Sequence, residues 1–223
     1  MSLEIVKGSS KFEFAFNDPE QIKKWFMETK PIHGLCFTGR SNVGKSSLIN
    51  SLFGKTTART SKTPGRTRSI IIFSFSILQR TEDGNETHTP FFLFDLPGYG
   101  YAKVSNEMAK NWNEILGLFF RHCPSTVRVL NIQDARHPFQ KSDSSFLDFI
   151  KKYYHLNSIL ILNKMDKLKT QKERSELNKS RKVIFKKQSH FKEIHFVSAQ
   201  TKKGTEELEQ SLMNFFLSKE ALN

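Results

Sequence analysis

Between Gly39 and Ser46 the chain reads Gly-Arg-Ser-Asn-Val-Gly-Lys-Ser, which satisfies G-x-x-x-x-G-K-[ST] at every fixed position, and Ser47 follows. A loop of this pattern must bring several backbone N–H groups to one anion, which requires glycine where a Cβ would hold the backbone away. Lys45 supplies a cation for β- and γ-phosphates, and Ser46 a hydroxyl for Mg2+. A helix starting at Lys45 would aim its positive end at the same anion. The flanks agree: Leu35-Cys36-Phe37-Thr38 reads as a buried strand entering the loop, and Lys45 to Leu52 as a helix leaving it. Such a unit commits the chain to an α/β architecture and to a nucleoside triphosphate as ligand.

The 223 residues suffice for one substantial domain with a full core. Residues 1–34 read as an N-terminal extension, a strand plus a helix packed on the core, and 35–223 as the nucleotide-binding domain. In the extension Lys11 to Phe16 alternates polar and apolar like an edge strand. Asp18-Pro19 then caps and opens a helix to about Met27 with Ile22, Trp25 and Phe26 on one face. Lys55 to Thr67 has turn and cationic residues without apolar periodicity and is expected to be a mobile loop. Ile70 to Leu78 and Phe91 to Phe94 are strand-like, and Asp83-Gly84 between them signals a hairpin, so these two strands should be antiparallel neighbours. Helical spacing over Asn106 to Phe120, strands at Val127 to Ile132 and Ser158 to Leu162, a helix near Ser142 to Tyr154, a short strand ending at Phe196-Val197 and a helix over Thr205 to Leu217 complete the alternation. The expected fold is a three-layer Ras-like P-loop architecture: a mostly parallel six-stranded sheet with one antiparallel strand and helices on both faces.

Two further motifs sit where strands end. Asp95-Leu96-Pro97-Gly98 follows an apolar strand, so the Asp95 carboxylate can hold the Mg2+ shell through water and the Gly98 N–H can sense a γ-phosphate. Asn163-Lys164-Met165-Asp166 follows another. Guanine presents N1–H and an N2 amino group side by side, and one carboxylate, Asp166, can accept from both, whereas adenine has no such donor pair. Lys164 can lay its stem on the purine face, Asn163 can tie its loop to the phosphate loop, and Ser198-Ala199 can offer an N–H to guanine O6. The ligand read from the three motifs together is GTP. The mobile loop should add a threonine to the Mg2+ ligands Ser46 and Asp95; Thr67, with Gly65 and Arg66 beside the nucleotide, is the choice over Thr60 and Thr63.

Charge indicates the partner. Lys and Arg number 35 against 22 Asp and Glu, a net +13, so an acidic macromolecule is expected. From Leu35 to Arg80 there are eight basic residues and no acid, and from Lys164 to Lys192 eleven basic and three acidic, a net +8 in each segment. In the second, Lys172, Lys179, Lys182 and Lys186 fall on one helical stripe opposite Leu177 and Ile184. These segments favour contact with RNA phosphates over a merely solvated face. Tyr99 and Tyr101 are candidates for stacking on RNA bases or a protein partner, covering the nucleotide or packing on a neighbouring helix. With two cysteines, Cys36 and Cys123, no disulfide framework or Cys-based metal site is expected. Without an apolar run long enough to span a bilayer or form a leader, the reading is a cytoplasmic protein with no membrane or DNA partner, and a monomer.

The motifs GRSNVGKSS (Gly39 to Ser47), TPGRT (Thr63 to Thr67), DLPGYGYAK (Asp95 to Lys103), DARHP (Asp134 to Pro138), NKMDK (Asn163 to Lys167) and KKG (Lys202 to Gly204) span nearly the whole chain. With them the chain resembles the EngB-type (YihA, YsxC) ribosome-biogenesis GTP-binding proteins of the TrmE-Era-EngA-EngB-septin-like P-loop GTPase superfamily. The resemblance implies GTP and Mg2+ binding, a switch role in large ribosomal subunit assembly on rRNA, and a need for the protein in normal cell division and septation. The alternative reading is a GTP-dependent protein-interaction module in cell division with no direct rRNA role. One departure is Gln133, where the pattern usually has an apolar residue before Asp134.

Ras-like enzymes orient the attacking water with a glutamine directly after Asp-x-x-Gly, but this chain has Tyr99 there, so intrinsic GTP hydrolysis should be slow. The catalytic candidates are Lys45, Thr67 and Asn42, the last either helping to hold a K+ ion that replaces an arginine finger or only shaping the loop. Arg40, Arg66 and Arg136 are alternative cations.

Overall fold

The structure, a computed structural model, describes residues 2–54, 57, 58, 69–100, 106–177, 179 and 190–218, with the backbone alone over 106–111. In chain order the elements are β1 (Ser2–Ile5), β2 (Lys11–Phe16), α1 (Pro19–Glu28), β3 (Gly34–Gly39), α2 (Lys45–Phe53), β4 (Ile70–Arg80), β5 (Glu86–Asp95), α3 (Asn106–His122), β6 (Val127–Asp134), α4 (Lys141–Ile150), β7 (Asn157–Asn163), α5 (described over residues 171–177), β8 (Phe191–Phe196) and α6 (Thr205–Leu217).

The sheet runs β1-β4-β5-β3-β6-β7-β8, with β2 beside β1 on β4. Strands β5, β3, β6, β7 and β8 are parallel neighbours, and β4 alone of the six from β3 to β8 runs against them. This is the expected P-loop sheet. The N-terminal segment adds two strands to the anticipated six: β2 pairs with Ile70 to Ser74 and β1 with Ile77 to Arg80, sharing the outer edge of β4 between them. Lys11 to Phe16 does form an edge strand, whereas β1 was not anticipated, because a four-residue strand is decided by the edge that receives it.

Alternation along the buried strands splits the core in two. Leu35 and Phe37 of β3, Leu130 and Ile132 of β6, and Ile159 and Ile161 of β7 face α2 and α6, meeting Leu48, Leu52, Leu208 and Leu212. Cys36, Val129, Leu160 and Leu162 face the other way, against α1, α3, α4 and Leu177 of α5. Parallel strands covered on both faces become continuous apolar runs, which is how β3, β6 and β7 read in the sequence. Helix α1 starts as its cap foretells, with Asp18 accepting from the Glu20 N–H at 3.0 Å and burying Ile22, Trp25 and Phe26. The β4–β5 hairpin turns at Gly84, whose φ of 81° suits the Asp83-Gly84 signal. Both cysteines are free and buried, and burial drives both thiols far above their ordinary pKa, so neither offers a thiolate. Among the described residues no helix is long and apolar enough to cross a membrane.

Candidate functional site

Since β3, β5, β6, β7 and β8 point the same way, Gly39, Asp95, Asp134, Asn163 and Phe196 all arrive at one edge of the sheet. Loops leaving that edge are where open α/β sheets place their ligands. Asn42 (φ 65°) and Gly44 (φ 93°) both take left-handed backbone, turning successive N–H groups to one side of the loop. No side chain caps α2, so its first-turn amides point along the axis to where a phosphate fits. Lys45 Nζ pairs with the Asp95 carboxylate, which is 5 % exposed. Ser46 is half-buried beside them, and Asn42 and Ser47 are exposed. A serine hydroxyl and a carboxylate are hard oxygen donors, a set that fits Mg2+.

The Asp95 loop lies directly against the phosphate loop. Ser41 N–H donates to the Tyr99 carbonyl at 3.0 Å and Tyr99 N–H to the Gly39 carbonyl at 3.3 Å. Position 98 is tight, since a Cβ there would meet Ser41 Oγ at 2.8 Å and Ser41 Cα at 3.0 Å.

The Asn163 to Asp166 motif and the Ser198-Ala199 turn form a second connected group. Asn163, 1 % exposed, donates through Nδ2 to the Val43 carbonyl at 3.0 Å and accepts at Oδ1 from the Ala199 N–H at 3.0 Å. It therefore holds both the phosphate loop and the Ser198-Ala199 turn. Ser198 Oγ donates to Asp166 Oδ1 at 2.6 Å. Burial raises the Asp166 pKa, but the bonds from Ser198 and Lys167 outweigh it and hold the carboxyl below its usual range. Lys164 Nζ donates to the Asn42 carbonyl and lies 3.1 Å from Asp134. Arg136 grips Asp134 through Nε at 2.9 Å and Nη2 at 2.6 Å. Partial burial pushes Asp134 up, yet Arg136 and Lys164 together leave it strongly depressed.

Among the described residues, two of the arginine candidates are thus already engaged. Arg136 serves Asp134, and Arg40 sits 3.4 Å from Asp143 with a bond to the His137 carbonyl. Tyr99 resolves to packing: its ring stacks on Phe146 of α4 at 4.4 Å between centroids. Burial, with the Asp143 charge, pushes its phenol far above the ordinary range. Gln133 is fully buried, donating to Asn131 Oδ1 at 2.8 Å and accepting from the Phe139 N–H at 2.9 Å, so its polarity there is accommodated. Asp143 escaped sequence reading altogether; the available signal was its place three residues after Gln140, in a capping box. Gly65, Arg66, Thr67, the rivals Thr60 and Thr63, and Tyr101 lie outside the described residues, as do Lys182, Ile184 and Lys186. Lys172 and Lys179 are exposed and Leu177 is buried.

Residues 35–164 match the family described as 50S ribosome-binding GTPase. The chain is similar to the "Probable GTP-binding protein EngB" of Laribacter hongkongensis, with 37 % identity over 190 residues, 84 % of this chain and 79 % of the relative. It is also similar to that of Prosthecochloris aestuarii, at 38 % over 182 residues, 81 % of this chain and 86 % of the relative. Among solved structures, a single-residue variant of Aquifex aeolicus Era bound to GDP.AlF4- shares the fold at TM-score 0.62 and 23 % identity, covering 82 % of this chain and 56 % of Era. A probable GTP-binding protein engB shares it at TM-score 0.53 and 24 % identity, covering 82 % and 97 %.

Proposed function

Because the chain belongs to the 50S ribosome-binding GTPase family and to its EngB-type GTP-binding proteins, we propose that it acts as a GTP-gated switch in large ribosomal subunit assembly. One observation carries the reading: the phosphate loop, Asp95, Asn163 to Asp166 and Ser198-Ala199 converge on one sheet edge and are bonded to one another. In this reading Gly39 to Ser47 cradles the phosphates and Asp166 selects guanine. Ser46, Thr67 and, through water, Asp95 hold Mg2+, which when bound neutralises charge on the β- and γ-phosphates. Lys45 and Asp95, now paired, are the cation and anion that a Mg2+–triphosphate would engage separately.

Intrinsic hydrolysis is proposed to be slow, because the side chain after Asp-x-x-Gly is packed on Phe146 and cannot orient water at the phosphate. Asn42, exposed on the loop, is proposed to help hold a K+ ion there; equal rates in KCl and NaCl would eliminate that role. The net charge of +13 supports contact with rRNA phosphates. The protein would work in the cytoplasm as a monomer, and defective septation would follow from failed assembly.

Co-sedimentation with large-subunit precursors tests the proposal, with more protein expected in the pellet with a GTP analogue than with GDP and a steep loss as salt rises. Equal recovery in both nucleotides would refute the switch, and a flat salt response would refute the rRNA contact and favour a protein partner. Displacement of bound GDP by ATP as readily as by GTP would refute the assignment of Asp166.

A further inference from the structure

The side chain of Asp143, at the start of α4, is 0 % exposed. Burying a carboxylate is costly unless its oxygens are served by donors, and here a directed chain of them ends on it. The Phe139 N–H donates to Gln133 Oε1 at 2.9 Å, Gln133 Nε2 to Asn131 Oδ1 at 2.8 Å, Asn131 Nδ2 to Tyr99 Oη at 3.2 Å, and Tyr99 Oη to Asp143 Oδ1 at 3.1 Å. Every link polarises the next toward the anion. On its other oxygen Asp143 accepts from the Gln140 N–H at 3.0 Å and faces Arg40 Nε at 3.4 Å.

The partners are what matter. Arg40 is the second residue of the phosphate loop, and Tyr99 directly follows Gly98. Between them run the backbone bonds Ser41 to Tyr99 and Tyr99 to Gly39. One buried carboxylate therefore grips both loops from behind, at the residues next to those that face the phosphates.

We propose that Asp143 is a positioning residue for γ-phosphate recognition: by clamping Tyr99 and Arg40 together it fixes the Gly98 N–H against the phosphate loop. The inference rests on the reading of Gly98 as the γ-phosphate donor. GDP does not extend to Gly98, so the clamp acts on the preference for GTP over GDP and not on guanine or α,β-phosphate binding.

The test is titration of the full-length protein with fluorescent GDP and with a fluorescent non-hydrolysable GTP analogue. Asp143→Asn keeps the shape but removes the charge, and Tyr99→Phe keeps the ring on Phe146 but removes the hydroxyl. Each should weaken the GTP analogue by about tenfold, a typical coupling between linked sites, and leave GDP within about twofold. The double variant should lose little more than the worse single one, because both cut the same link. A merely structural role would weaken both nucleotides by one factor, and that result, or no change in either, overturns the clamp. Gly98→Ala separates the two levels. If it lowers the GTP preference while Asp143→Asn does not, the clamp fails and the Gly98 reading stands. If it too leaves the preference unchanged, the Gly98 reading fails and the clamp with it.

Discussion

Replacing Asn163 by alanine is the sharpest probe of how the Asn163 to Asp166 loop and the Gly39 to Ser47 loop are joined. The amide makes two well-formed bonds, a buried one to the Val43 carbonyl and a partly buried one from the Ala199 N–H, both at 3.0 Å, and a long third contact to the Gly44 carbonyl at 3.4 Å. Two lost bonds cost about 1 kcal/mol each net, and leaving their partners unserved adds roughly another 1 kcal/mol, so about 3 kcal/mol is expected. For a domain of this size that is a fall of roughly 6–12 °C in Tm. Because the same amide sets the spacing of the two loops, GDP and GTP should weaken together, by at least about tenfold. Asn163→Asp sharpens the reasoning. As a carboxylate it would set a negative charge 3.0 Å from the Val43 carbonyl, which raises its pKa; once protonated it donates as the amide did. The folded-state pKa then lies above the unfolded value, so the variant is least stable at high pH and recovers as pH falls through that raised pKa toward the ordinary carboxylate value of about 4. Urea melts across that range read this directly. A loss below about 0.5 kcal/mol for the alanine variant, or a pH-independent aspartate variant, would refute the argument.

Other substitutions probe neighbouring features. Gly44→Ala should weaken nucleotide binding by at least about tenfold, since it imposes left-handed backbone on an L-residue and sets a Cβ 2.5 Å from Asn163 Nδ2; titration with fluorescent GDP checks this. Gln133→Leu, although it puts an apolar residue into a buried position, should lower Tm by roughly 3–8 °C, because the Phe139 N–H and Asn131 Oδ1 lose their partner; an unchanged Tm would discount the network. Burial, then the nearby Lys151 charge, depresses the His190 pKa to about 4. Between about pH 6.5 and 4 the unfolded chain therefore binds more protons than the folded one, and stability falls as pH falls through that window. Discounted for partial exposure, the loss is roughly 1–2 kcal/mol, and in urea melts at both ends of the window His190→Phe should reduce it.

What could be read from the sequence was what local spacing determines. Gly39 to Ser46, Asp95 and Asn163 to Asp166 stand out as motifs within a few residues of themselves, and the strands that bring them to one sheet edge read as apolar runs. The Asp143 network was hidden because its members stand far apart: Tyr99 and Asp143 are separated by 44 positions and Tyr99 and Asn131 by 32. Gln133 read as a misfit because its partners, Asn131 and the Phe139 N–H, are invisible until β6 and the loop beyond it are in place. β1 was missed for a related reason: Leu3 and Ile5 alternate too briefly to announce a strand until the edge of β4 is there to receive them.

That shared edge has a consequence in time. Ser2 pairs with Arg80 and Phe16 with Ile70, so β1 and β2 precede their common partner by 78 and 54 positions. At about 5–20 residues per second, a growing chain carries both segments for several seconds before β4 exists. Closing that margin is therefore a non-local step, reached only after the hairpin strand has been made. Until then Phe12 and Phe14, still 62 % and 44 % exposed after folding, travel unshielded, and the newborn chain depends on Lys11 and Glu13 beside them to discourage unwanted strand partners.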